Sequence, residues 1–169
     1  IPVFNRPDEI LELLNSLQNQ TQKDFEVVII DDGSNLKSDA IVKDFSTELA
    51  ILYLEKENSG PGDSRNFGMK NASGDYFIIL DSDCILPKDY FENVKNQLAS
   101  NFVDCFGGSD SALHSFSEIQ KAINYSMTSF LTTGGIRGGS EKLDKFQPRS
   151  FNMGIPFIAF CPPLRQATR

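Results

Sequence analysis

The sequence predicts an α/β fold, an α/β/α sandwich around a mainly parallel central sheet. Three observations point there. Short apolar, β-branched runs alternate with segments of helical period. The runs are apolar at nearly every position, as strands covered on both faces are. Polar clusters stand just past the ends of those runs, where an open parallel sheet gathers its ligands.

The elements follow in order. The segment RPDEILELLNSLQNQ carries Pro7 and two acids in its first turn. Its residues Ile10, Leu13, Leu14 and Leu17 share one helical face. FEVVII (25–30) reads as a buried strand, SDAIVKDF as a short helix and ILYL (51–54) as a second strand. GDSRNFGMKNA is a helix entered through a Gly-Pro-Gly turn. YFIIL (76–80) is another buried strand, followed by a helix around YFENVKNQLA. FVDCFGG (102–108) is expected to be a strand and SFSEIQKAINYSMTSFL a helix. The Gly-rich, charged stretch 132–145 is expected to be a mobile surface loop.

At 169 residues, with 40% apolar residues and 14 Phe, the chain suffices for one domain with one core. A net charge of −7 argues against nucleic acid as a partner. It does not exclude a phosphorylated small molecule, because a local cation overrides the global sign. The three cysteines (Cys84, Cys105, Cys161) lack zinc spacing and fit reduced thiols in a cytosol-like compartment. No apolar run reaches transmembrane length, and no signal peptide is visible. The opening Ile1-Pro2, without Met, marks the chain as a candidate fragment.

Four polar clusters are expected to converge on one rim: Phe4-Asn5, Asp31-Asp32-Gly33-Ser34, Asn58-Ser59-Gly60 and Asp81-Ser82-Asp83. Each has a plain alternative. Asp31-Asp32-Gly33-Ser34 is also ordinary turn chemistry; as a site, one carboxylate accepts from a base or ribose. In NSGPGDSRNFG, Gly60 and Gly62 let backbone approach a ligand, and Arg65 can aim a cation at phosphate; the bland version is a helix entry with a surface arginine. Asp81-Ser82-Asp83 is either a solvated turn or a pair of hard oxygen ligands for Mg²⁺ or Mn²⁺. His114, the only histidine, reads as a surface or partly packed residue rather than a catalyst.

Together, IPVFNR, VVIIDDGS, NSGPGDSRNFGMKNASGDYFIILDSD and FNMGI resemble, in order, the family 2 glycosyltransferases, inverting enzymes with the Rossmann-like GT-A fold. The resemblance implies a domain over residues 1–155 that binds a nucleoside-diphosphate sugar, with a UDP-sugar favoured. IPVFN would finish the first strand, Phe4 and Asn5 would lie near the base and Pro2 would line its pocket. Asp32 would hydrogen-bond the base, and Gly60 and Arg65 would sit by the nucleotide-sugar. Asp81-Ser82-Asp83 matches the family's DXD motif, with Asp83 the direct metal ligand and Asp81 its companion. Gly107-Gly108 and Asn152-Met153-Gly154 resemble segments lining the donor sugar and the acceptor side. The implied partners are the donor and a glycan or lipid-linked acceptor. The implied location is cytoplasmic, with peripheral association at the inner membrane face.

Two departures shape the expectation. The family's first strand begins several residues earlier, so the domain is expected to be truncated there. The inverting mechanism also needs a carboxylate base, which relatives carry some way after the segment matching FNMGI. Here PFIAFCPPLRQATR, essentially 156–169, has no acidic residue and reads as atypical tail. The expectation is therefore donor binding with little transfer by this chain. Two rivals remain: a receiver-like Mg²⁺-binding signalling domain, and a nucleotide-sugar-binding module without catalysis.

Overall fold

A computed structural model of the chain describes residues 1–107, 117–129 and 153–156. In chain order the elements are β1 (Pro2–Val3), α1 (Pro7–Gln18), β2 (Glu26–Asp31), α2 (Asp39–Phe45), β3 (Ala50–Glu55) and α3 (Pro61–Asn71). There follow β4 (Tyr76–Ile79), α4 (Tyr90–Ser100), β5 (Phe106–Gly107), α5 (Glu118–Thr128) and β6 (Met153–Pro156). The strand and helix expectations over residues 1–100 hold, with ends moved by a few residues.

Strands β1, β2 and β3 form a parallel sheet in that order. Pro2 lies opposite Ile30, and the β2–β3 ladder runs from Glu26–Ala50 to Asp31–Glu55. The expectation of a mainly parallel sheet covers this half only. Strand β6 runs antiparallel to both β4 and β5, in the order β4-β6-β5. The strand expected over 102–108 is narrower than its apolar residues suggest. Among the described residues of that stretch, only Phe106 and Gly107 pair, with Gly154 and Met153, while Phe102 stays 63% exposed.

Both faces of β2 are covered, which is why its interior, Val27–Ile30, is apolar at every position. The pleat sends Val27 and Ile29 to one side, into a core with Ile10, Leu13, Leu14 and Leu17 of α1 and Val42 and Phe45 of α2. Val28 and Ile30 face the other side, where α3 packs so closely that a Cβ at Gly68 would stand 3.2 Å from Ile30 Cγ1. The α1 start is coded locally: Pro7 needs no N–H partner in the first turn, and Asp8 and Glu9 suit the positive end of the helix dipole. Leu13 is fully buried in the larger core. Leu13→Ala should lower unfolding free energy by about 2–5 kcal/mol, read from the urea midpoint.

A buried polar joint ties α1 to the segment after β4. Gln20, 3% exposed, donates from Nε2 to Pro87 O at 2.7 Å and accepts at Oε1 from Phe91 N. Leu86 N donates to Ser16 Oγ at 3.2 Å, and Thr21 N donates to Lys88 O at 3.0 Å. This joint holds the loop carrying Asp81-Ser82-Asp83 against α1. Cys84 and Cys105 form no disulfide among the described residues. No helix among those residues is long and apolar enough to cross a membrane.

Candidate functional site

Strand β2 ends in two carboxylates, and the pleat sends them to opposite faces. Asp31, 1% exposed, faces the α1/α2 side, accepting from Ser34 N at 2.7 Å and from the Tyr53 hydroxyl at 2.5 Å. It pins the turn and the neighbouring strand. The same contact, with burial as the larger cause, pushes the Tyr53 hydroxyl well above its usual range.

Asp32, 3% exposed, faces the α3 side. Its Oδ1 accepts from Lys56 Nζ at 2.5 Å and from Ser59 N at 3.0 Å, and its Oδ2 accepts from Gly60 N at 2.8 Å. Burial opposes its charge. Hydrogen bonds from Lys56, the Ser59 and Gly60 amides and the Ser64 hydroxyl outweigh burial and hold the carboxyl down at about 2. Asp32 thus occupies the N-terminus of α3, the place an anionic ligand would otherwise take. The resemblance implies that Asp32 meets the nucleobase; in the structure both its oxygens accept from the chain's own donors. Asn58 Nδ2 donates to Asp32 O at 2.8 Å and closes the same joint.

The glycines here are required by backbone shape. Gly33 has φ +77°, and a Cβ on it would meet Asn58 N at 2.9 Å. Gly60 has φ +94° as it enters α3. Asn5, at φ 54°, is a non-glycine residue in the left-handed region, where asparagine is tolerated. Its N–H donates to Ser34 Oγ, and its Oδ1 accepts from Asn35 N at 2.7 Å and Leu36 N at 2.9 Å. Asn5 therefore fastens the end of β1 to the turn after β2. Pro2 is buried within β1, whereas Phe4 is 47% exposed at the strand end.

The second half of the rim is charged. Arg65 NH2 donates to Asp81 Oδ1 at 2.6 Å, with Arg65 only 18% exposed along its side chain. Arg65 Nε is buried and has no hydrogen-bond partner among the described residues. A buried donor without an acceptor is costly in a folded protein unless water or a ligand supplies one. Ser82 is buried between the two carboxylates, and Asp83 is exposed and pairs with Arg6 NH1 at 3.3 Å. The structure thus brings Asn5, Asp32, Gly60, Arg65, Asp81 and Asp83 to one rim. Gly107, Met153 and Gly154 lie in paired strands, whereas Gly108, Asn152, His114, Cys161, the 132–145 loop and 157–169 fall outside the described residues.

Sequence reasoning missed two cations, Lys56 and Arg6. Lys56 had no local signal: it falls beside Asp32 through the β2–β3 register, in which Glu55 lies opposite Asp31. Arg6 had none, because its partner lies 77 positions away.

The donor set suits a divalent cation of a particular kind. Among the described residues, no group of three or more His, Cys, Asp or Glu side chains is placed to hold a metal. Asp81 and Asp83 supply two carboxylates, which is what Mg²⁺ or Mn²⁺ uses when phosphate oxygens and water complete its octahedron. The residues fit an ion shared with a diphosphate, not a closed protein cage. A groove of about 490 Å³ lies elsewhere: it runs between β2 and β4, is lined mainly by apolar side chains and reaches toward the rim at Ser64 and Arg65.

Comparison with known proteins agrees with this geometry. The family described as glycosyl transferase family 2 matches residues 1–161, and the chain belongs to that family. Glycosyltransferase GlyA of Streptococcus pneumoniae is 36% identical over 119 residues, which are 70% of this chain and 17% of that protein. An uncharacterized glycosyltransferase of Rickettsia felis is 40% identical over 104 residues, 61% of this chain and 17% of its own length. The chain thus spans about a sixth of the curated relatives it first matches. Among solved structures, S. aureus TarS 1-349 in complex with UDP-GlcNAc superimposes with a TM-score of 0.64 at 29% identity, over 69% of this chain and 34% of that one. Mannosyltransferase PcManGT from Pyrobaculum calidifontis, in complex with GDP-Man and Mn²⁺, gives 0.59 at 26% identity, over 65% and 34%. The chain is a glycosyltransferase domain with a GT-A fold.

Proposed function

We propose that the rim binds a nucleoside-diphosphate sugar, with a UDP-sugar favoured, together with Mg²⁺ or Mn²⁺. The whole enzyme then transfers the sugar with inversion to a glycan or lipid-linked acceptor. One observation carries the donor reading. Arg65 is anchored on Asp81 and keeps a buried Nε–H without an acceptor. A phosphate oxygen is the acceptor that suits it. The ligands in the TarS and PcManGT structures support the same class of donor.

The other residues divide the work. Exposed Phe4 offers a face on which a base stacks. Asp32 and Lys56 hold 56–60 against the end of β2 and shape the base side. Asp81 and Asp83 would hold the cation, which when bound would neutralise charge on the leaving diphosphate. Transfer is assigned to the cytoplasm, at the inner membrane face where the acceptor is lipid-linked. Inverting transfer needs a carboxylate base, and no residue of this chain is assigned that role.

Calorimetry of the chain with UDP, GDP and CDP, with and without Mn²⁺, tests this reading. Micromolar binding of one nucleotide, tightened by Mn²⁺, is expected. Failure of all three to bind would end the donor reading.

A further inference from the structure

Arg6 is placed where a cation is hard to justify by stability alone. It is the residue just before α1, at the positive end of that helix dipole, where acidic residues are the favourable choice. The left-handed backbone at Asn5, held by three hydrogen bonds, sets the direction in which Arg6 leaves β1. That direction carries it to the end of β4, where NH1 lies 3.3 Å from Asp83 Oδ2.

The two arginine–carboxylate pairs of the rim differ in kind. Arg65–Asp81 is close, at 2.6 Å, with exposures of 18% and 31%. Arg6–Asp83 is longer, with exposures of 50% and 58%, and exposed pairs of this sort are weak and easily screened. Two arginines balance two carboxylates, so a cation arriving at Asp83 meets a competitor already in place. The weaker pair is the one that yields.

We propose that Arg6 is a transferable counter-ion, paired with Asp83 while the donor is absent and passed to the diphosphate when Asp83 takes the cation. The inference rests on the donor-site reading above and adds an order to it. The cation alone binds weakly because it must displace Arg6. Cation and nucleotide together bind well because the displaced guanidinium finds a phosphate. Arg6 thus couples the two ligands, and by linkage each raises the affinity of the other.

Two measurements on the chain test this: Mn²⁺ binding without nucleotide, from the electron paramagnetic resonance signal of free Mn²⁺, and UDP binding with Mn²⁺ present, by calorimetry. Arg6→Gln should bind Mn²⁺ alone about fivefold more tightly and UDP with Mn²⁺ about tenfold more weakly, factors within the usual range of site coupling. Arg6→Lys should restore much of the UDP affinity. Unchanged UDP binding in Arg6→Gln would overturn the proposal, whatever happens to Mn²⁺, and so would weaker binding of Mn²⁺ alone. If the unaltered chain binds no nucleotide, the donor-site reading itself falls, and the transfer of Arg6 with it.

Discussion

Asp32→Ala is expected to destabilise the chain by about 2–4 kcal/mol, because it strips the acceptor from several donors at once. Lys56 loses its close counter-charge, and the Ser59 and Gly60 amides lose their acceptor at the N-terminus of α3. Asp32→Asn should recover part of the loss, since one amide oxygen can still accept. Urea unfolding reads both. The pH dependence is a second signature. The folded carboxyl lies below its usual 3.8, at about 2, so its contribution is complete above about pH 4 and disappears as pH falls toward 2. The unaltered chain should lose stability through that window, and Asp32→Ala should lose less there. Equal acid sensitivity of the two would show that Asp32 is not held as described. Nucleotide binding should weaken in Asp32→Ala too, because segment 56–60 is no longer fixed to β2.

The second large effect concerns Asp81. Asp81→Asn keeps the shape but removes the charge facing Arg65, and UDP binding with Mn²⁺ should weaken about 10–100-fold, the worth of one or two charge-assisted hydrogen bonds. Asp83→Asn should also abolish the Mn²⁺ enhancement. The two should part company in stability. Asp81→Asn leaves a largely buried guanidinium without its counter-charge and should lower the urea midpoint, whereas the exposed Asp83 should tolerate replacement. Nucleotide affinity unchanged in both variants would remove the metal–diphosphate role from this motif.

Much of the fold was legible because it is written locally. Apolar runs such as FEVVII (25–30) and helical faces such as that of α1 announce themselves within a dozen residues. The antiparallel half was not. Met153–Pro156 is four residues long, and nothing in it states that it pairs with Tyr76–Ile79. The apolar residues at 102–105 misled for the opposite reason, since composition without a partner strand makes no ladder.

The site divides in the same way. The sequence by itself determined which residue types reach the rim: Asp32, Arg65, Asp81 and Asp83 each follow or enter an element whose end can be read from turn chemistry. It also singled out Gly60 and Gly62; the structure keeps a positive φ at Gly60, places Gly62 in the first turn of α3, and adds Gly33. Only the tertiary structure decided what those charges do. The pleat at the end of β2 turns Asp31 toward Tyr53 and Asp32 toward α3, so one acid pins a turn and the other caps a helix. The fold brings the ends of β1 and β4 together and gives Asp83 the guanidinium of Arg6. A carboxylate carries the same charge in any sequence, but its partner is whatever the packed chain sets within reach.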